Sequence, residues 1–175
     1  DYGTITLLWQ INDVPGLESA LGGDADISET ANSHASTDAT VLHTAADSNV
    51  EVVEFLLDNG ARELLEKRCG PGEEGRWAGQ TVLQMAAKKG RSDIARRLID
   101  AEAEYDIFSA VALGDMDRVS QLVELNDDLL TTRDDYQATL LHWAARNAHV
   151  ESAQLLLDSG ADIDAKDNIG CPPLW

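Results

Sequence analysis

The chain has 175 residues, 43% of them hydrophobic and 26% charged, with a formal net charge of −19. Acidity on this scale repels phosphate backbones and anionic membrane surfaces, which argues against nucleic acid as a partner. No apolar run approaches the ~18–20 residues that span a bilayer, so no membrane insertion is expected.

The elements fall into repeating units. A first unit, over about 3–35, carries Thr6-Leu7-Leu8-Trp9 and closes at Ala25-Asp26-Ile27, followed by a polar loop (29–38) that holds His34. A second, over 36–78, opens Thr40-Val41-Leu42-His43-Thr44-Ala45-Ala46, continues through Val52-Val53-Glu54-Phe55-Leu56-Leu57 and stops at Gly60-Ala61. The third, 79–104, repeats the opening as Thr81-Val82-Leu83-Gln84-Met85-Ala86-Ala87 and then gives Ile94-Ala95 and Leu98-Ile99. The fourth, 105–136, lacks the Thr and His but keeps Ile107 to Val111, Val119 and Leu122-Val123. The fifth, 137–169, is the clearest: Thr139-Leu140-Leu141-His142-Trp143-Ala144-Ala145, Val150 to Leu157, then Gly160-Ala161-Asp162-Ile163. Residues 170–175 open a sixth.

Each unit holds two apolar-periodic segments of short-helix length. The first is rich in Ala, which lets a neighbouring helix approach. The second presents a wide apolar stripe. Gly60 and Gly160 sit where that second helix must end in a left-handed conformation. One such pair cannot cover its own apolar face, but stacked pairs can.

Anchor positions Leu8, Leu42, Leu83, Ile107, Leu141 and Leu174 are separated by 34, 41, 24, 34 and 33 residues. The long step holds an insertion, about 62–75, rich in Gly, Glu and Arg. In the short step Ala103 runs almost directly into Tyr105, leaving no residues for a hairpin, so a break in regular stacking is expected near 103–107.

The T-x-L-H-x-A opening at this spacing resembles the ankyrin repeat. The resemblance implies an all-α fold: one array over 1–175, a solenoid of stacked helix-turn-helix units with short β-hairpin-like loops. His43 and His142 then occupy the signature histidine, which bonds locally and ties neighbouring repeats. The chain stops at Pro172-Pro173-Leu174-Trp175 inside a signature, and the expectation is an array that continues. Asp1-Tyr2-Gly3 has no basic n-region and no initiator Met, which reads as a processed boundary.

Apparent catalytic motifs have simpler explanations. Gly70-Pro71-Gly72-Glu73-Glu74-Gly75 fits G-x-G-x-x-G, but its two glutamates would repel a pyrophosphate, and it lies in the insertion rather than between a strand and a helix. Asp162 to Asn168 faintly resembles a calcium loop, yet Lys166 takes a ligand position. No His is spaced with Cys or another His for metal, and no G-x-S-x-G occurs. No cofactor, metal or catalytic residue is expected, and the chain reads as a non-enzyme. Cys69 and Cys171 form no C-x-x-C, and a reducing, intracellular compartment fits.

Charge is uneven: −11 over residues 1–61, +4 over 62–97 and −12 over 98–175. The basic stretch is read as leaning on the acidic flanks of its own chain in preference to docking an acidic partner. The resemblance implies a monomer that binds another protein through a concave face of hairpin tips and first helices. By repeat position the contacts would come from Trp77, Met85, Lys88, Lys89, Tyr136, Ala138, Trp143, Arg146, Asn147, Asn168, Ile169 and Cys171. Trp143 is expected to be partly exposed and, with Tyr136, to supply shape and apolar contact. Trp9 and Trp175 are expected to be structural. Two other roles fit the same pattern: a targeting or autoinhibitory segment of a larger enzyme, and a structural spacer.

Overall fold

The computed structural model describes residues 16, 39–46, 50–70 and 79–173. Nearly all of the first unit, His34, Trp9, Trp77, Trp175 and residues 71–75 of the expected insertion therefore lie outside the described residues. Regular structure among the described residues is helical, with one isolated antiparallel bridge, Arg133 to Thr139. None of the described helices is long and apolar enough to cross a membrane. The chain divides into two compact units, Asp1–Ala86 with Arg91–Glu104, and Ala87–Gly90 with Tyr105–Trp175.

In the first unit, α1 (Val41–Ala45) and α2 (Val50–Asp58) are followed by a 3-10 turn (Ala61–Leu64), α3 (Val82–Lys88, its last two residues belonging to the second unit) and α4 (Ser92–Asp100). Helix α1 starts at Thr40 because an extended Thr offers its hydroxyl to the first turn. The wiring goes further. His43 Nδ1 lies 2.8 Å from Thr40 Oγ1 and accepts the Thr40 backbone N–H, while Nε2 meets the Gln80 carbonyl at 3.2 Å. A carbonyl only accepts, so Nε2 carries the proton and Nδ1 is the acceptor. Burial holds the His43 pKa below its ordinary value, against the opposing pull of the Gln80 carbonyl, and keeps the neutral ring in this role. In the third repeat unit Gln84 stands in for the histidine: its Oε1 accepts the Thr81 N–H at 3.1 Å.

Val52, Val53, Leu56 and Leu57 of α2 and Ile94, Ala95 and Leu98 of α4 turn inward, and the two helices pack together. The ion pair of Arg97 Nε with Glu54 Oε1, 2.7 Å, joins them at the surface, where such pairs contribute ~1 kcal/mol at most. It is one basic side chain of the 62–97 stretch that leans on acid of its own chain, as expected. Within 62–69 the structure shows packing: Leu64, Leu65 and Cys69 are buried. Cys69 exchanges backbone hydrogen bonds with Gly79 and Gln80, closing the chain on either side of the undescribed stretch.

The second unit contains α5 (Ile107–Leu113), α6 (Met116–Leu125), a 3-10 turn (Asp127–Thr131), α7 (Leu140–Arg146) and α8 (Val150–Asp158). Its core gathers Phe108, Val111, Val119, Leu140, Leu141, Trp143 and Leu156, with Ala87, Ala110 and Ala144 as the small residues that let helices close in. Residues 103–106 pass into it with no turn or bridge. Asp106 caps α5, accepting from the Ser109 N–H at 2.9 Å. Tyr105 donates its hydroxyl to Asp115 at 2.9 Å, and desolvation with that acidic neighbour raises its pKa well above the ordinary tyrosine range.

Helix ends at Gly60 (φ +104°) and Gly160 (φ +95°) are left-handed, as their sequence positions require. His142 reproduces the His43 arrangement: Nδ1 against Thr139 Oγ1 at 2.8 Å and Nε2 on the Cys171 carbonyl at 3.0 Å. His149 makes a third tie, from Nε2 to the Ala112 carbonyl at 2.8 Å. Gly114 is what lets that ring in. Its φ is +70°, and a Cβ there would lie 2.7 Å from His149 Nδ1. Gly114→Ala should therefore destabilise the protein by more than the ~1–2 kcal/mol that a left-handed Cβ alone costs. Urea unfolding checks this, the expected result being a lower midpoint with an unchanged m-value.

Candidate functional site

Two hairpins of the second unit share one construction. Asp134 opens the first: its N–H donates to the Ala138 carbonyl, and its own carbonyl accepts from Gln137. Its side-chain Oδ1 accepts the N–H groups of Tyr136 (2.9 Å) and Ala138 (2.8 Å). Asp167 does the same one repeat later, with Oδ1 accepting from Ile169 (3.0 Å) and Cys171 (2.9 Å). The position that needs a positive φ is Gly170 in one and Gln137 (φ +60°) in the other. The tips are also joined: Asn168 N–H donates to the Tyr136 carbonyl at 2.8 Å. Arg133 Nη1 spans both, donating to the Gln137 and Lys166 carbonyls at 2.7 and 2.9 Å. Tyr136, Asn168 and Ile169 are thus presented on backbone already fixed.

Asp134 has a further partner. Its Oδ2 accepts the indole N–H of Trp143 at 2.9 Å. The expected exposure of Trp143 is corrected here, for the residue is 1% exposed. Its ring packs against Phe108, centroids 5.3 Å apart, and Lys88 covers it from outside, with Nζ 4.9 Å from the Trp143 ring centroid. The same ammonium lies 5.4 Å from the Tyr136 centroid. A long side chain can bury its stem over apolar surface while keeping a charged head near water, and two aromatic faces attract that head. Repeat position alone could not reveal the cover, because it comes from a residue 55 positions earlier in the chain.

Lys88 is half-buried, and its pKa is lowered to about 8 from an ordinary 10.5. Desolvation is the largest cause, the charge of Arg146 adds to it, and Asp134 opposes both.

The other expected contact residues divide. Lys89 and Asn147 are half-buried, and Asn147 folds back to donate to the Trp143 carbonyl at 2.9 Å. Arg146 and Asn168 are exposed, and Ile169 is 78% exposed. Ala138 is buried under its hairpin, and Cys171 is half-buried with its carbonyl committed to His142. Met85 belongs to the first unit and is 3% exposed, so its side chain offers no surface there. Trp77 lies outside the described residues. Asp134, Arg133 and His149 hold this arrangement without matching any signature position of the repeat. The signal for Asp134 was the repeated Asp-x-x-x-small pattern at 134–138 and 167–171. Among the described residues no three His, Cys, Asp or Glu side chains gather as a metal site would require.

The depressed Lys88 pKa has a defined consequence for stability. The unfolded chain holds this proton more tightly than the folded one, so the penalty for the charge is fully present below pH 8 and fades as pH rises toward 10.5. Relative to Lys88→Met, the parent protein should gain stability between about pH 8 and 10.5 and show a constant difference below that window. Paired urea titrations across this range provide the measurement.

The comparisons with known proteins agree with this architecture. The sequence model for ankyrin repeats (three copies) matches residues 10–109 and 61–167. The chain is 28% identical to the E3 ubiquitin-protein ligase XB3 of Oryza sativa subsp. japonica, over 89% of the chain and 37% of the ligase. It is 37% identical to human ankyrin repeat domain-containing protein 39, over 42% of the chain and 39% of that protein. It thus spans less than half the length of either relative. Among solved structures it resembles a chain in the complex of the Bd0816 predatory endopeptidase from Bdellovibrio bacteriovorus with the immunity protein Bd3460. There the TM-score is 0.60 at 21% identity, with 97% of this chain and 88% of that one covered, a likeness of fold alone. The match of the family's sequence model from residue 10 to 167, over helix pairs tied by Thr-His caps, places this chain in the ankyrin-repeat family.

Proposed function

We propose that the chain is a non-enzymatic module that binds another protein through the face of its second unit carrying Lys88, Tyr136, Arg146, Asn168 and Ile169. Ankyrin repeats are in general protein-interaction modules. The observation that supports this particular face is the pair of joined hairpin tips, with Ile169 78% exposed on one and half-buried Tyr136 on the other. Carboxylates inside the loops hold both tips, so little conformational freedom is left to lose on binding. An aromatic and an aliphatic side chain on rigid backbone are effective anchors. Action as a monomer in an intracellular, reducing compartment belongs to the same reading and suits Cys69 and Cys171, which form no disulfide.

A second role is compatible with this one. The chain matches 37% of the length of a ubiquitin ligase, which favours a targeting or autoinhibitory segment of a larger enzyme or multidomain protein over a structural spacer.

The test must avoid Trp143. Truncating a ring 1% exposed costs ~3–5 kcal/mol and would perturb the fold itself. Tyr136→Ala combined with Ile169→Asp should keep the helical circular dichroism and lower affinity for a captured partner by about tenfold or more. Capture of the same proteins at the same affinity by parent and variant would contradict the proposal.

A further inference from the structure

We propose that Asn59 is a site of spontaneous deamidation in the folded chain, driven by attack of the Gly60 backbone nitrogen, and that the product loosens the end of α2. The site belongs to the first unit and is independent of the binding role proposed above.

Asn59-Gly60 is the one Asn-Gly pair in the chain. Gly60, Gly90, Gly114 and Gly160 all stand just past helix ends with a positive φ. Three of them donate their N–H back to the helix they end: Gly90 to the Ala87 carbonyl, Gly114 to Val111 and Gly160 to Leu157, at 2.9, 3.2 and 2.9 Å. Among the described residues no acceptor meets the Gly60 N–H. The peptide plane between Asn59 and Gly60 can therefore rock without losing a bond from that N–H. A turn in the Asn59 ψ is offset by an opposite turn in the Gly60 φ, which glycine tolerates on both sides of zero. The movement swings the Gly60 nitrogen toward the Asn59 side chain and leaves the buried residues that follow, Ala61, Leu64 and Leu65, in place. Asn59 and Gly60 are both exposed, and nothing lies within 4 Å of where a Gly60 Cβ would stand, so water and hydroxide reach the pair. The side-chain bond that must open, from Asn59 Nδ2 to the Phe55 carbonyl at 2.8 Å, is itself exposed.

Hydroxide takes the Gly60 amide proton, and the nitrogen bonds to Asn59 Cγ. The bond from Cγ to Nδ2 breaks and ammonia leaves, carrying a proton returned by water, with a succinimide ring left behind. Water then opens the ring. Addition at Cγ gives aspartate with the backbone unchanged. Addition at the main-chain carbonyl gives isoaspartate, whose chain runs through the former side chain and is longer by a methylene. Either product loses the Nδ2 donor to Phe55 and places a carboxylate at the negative end of the α2 dipole, beside exposed Asp58. The longer isoaspartyl backbone also shifts Ala61 and Leu64 against the core that buries them.

The experiment holds the full chain folded in heavy-oxygen water across a range of pH and follows each asparagine by peptide mass spectrometry, with aspartyl and isoaspartyl forms separated. Asn59 should convert to both forms with uptake of heavy oxygen, faster as pH rises, and at least several-fold faster than exposed Asn126 and Asn168. Asn59→Gln, whose longer side chain closes the ring far less readily, should stay unreacted with unchanged helical circular dichroism. Asn59→Asp should unfold at a lower urea midpoint than Asn59→Gln. Conversion at Asn59 no faster than at Asn126 and Asn168, or conversion seen only after unfolding in urea, would overturn the assignment of the site. Equal midpoints for the two variants would overturn the loosening of α2.

Discussion

The candidate face depends on one half-buried constraint, the carboxylate of Asp134. With three donors on its two oxygens it closes a hairpin through Tyr136 and Ala138 and anchors the indole of Trp143. Charge-assisted bonds of this kind are roughly twice as strong as neutral ones, and here they join a loop to the helical core. Because the indole is fixed, Lys88 has a fixed surface to lie on. Because the hairpin is fixed, Tyr136 forms the second wall. A loop that would otherwise be the most mobile part of a repeat becomes an extension of its core.

Around that constraint the repeat applies the same device along the chain. A threonine starts the first helix, a histidine three residues later returns to it, and the far nitrogen reaches a carbonyl well ahead in sequence: His43 to Gln80 and His142 to Cys171. Each tie adds a side-chain contact to a carbonyl that also accepts a backbone N–H, from Cys69 at Gln80 and from Asp167 at Cys171. Departures are instructive. Gln84 keeps the local part of the arrangement. At the corresponding position of the fourth repeat unit stands Ser109, fully buried, whose hydroxyl has no hydrogen-bond partner. That degenerate repeat lies beside the short step, where the chain also lacks a hairpin.

Much of the fold was legible because its determinants are local. Helix starts at Thr40 and Thr139, left-handed stops at Gly60 and Gly160, and the inward stripes of α2 and α4 follow from residues within one or two turns of each other. What escaped the sequence depends on distant partners. Trp143 has the position of a groove residue, and only Lys88 and Phe108, 55 and 35 positions away, make it a core residue. His149 carries no motif, and its tie to Ala112 depends on the space left by Gly114. Gln137 adopts a conformation that its neighbours impose against its own preference. Tyr136, Arg146, Asn168 and Ile169 were legible as surface by repeat position, but the position of Lys88 over Tyr136 and Trp143 was not, since those rings come 48 and 55 residues later in the chain.

Nuclear magnetic resonance of Asp134→Ala bears on this account most directly. Loss of the carboxylate should expose the Tyr136 and Ala138 amides and the Trp143 indole proton to exchange. It should also move the Lys88 pKa below about 8, since Asp134 supports that charge. Unchanged protection at those three protons, with Lys88 titrating as in the parent, would show that the hairpin and its aromatic neighbour are held by something other than this carboxylate.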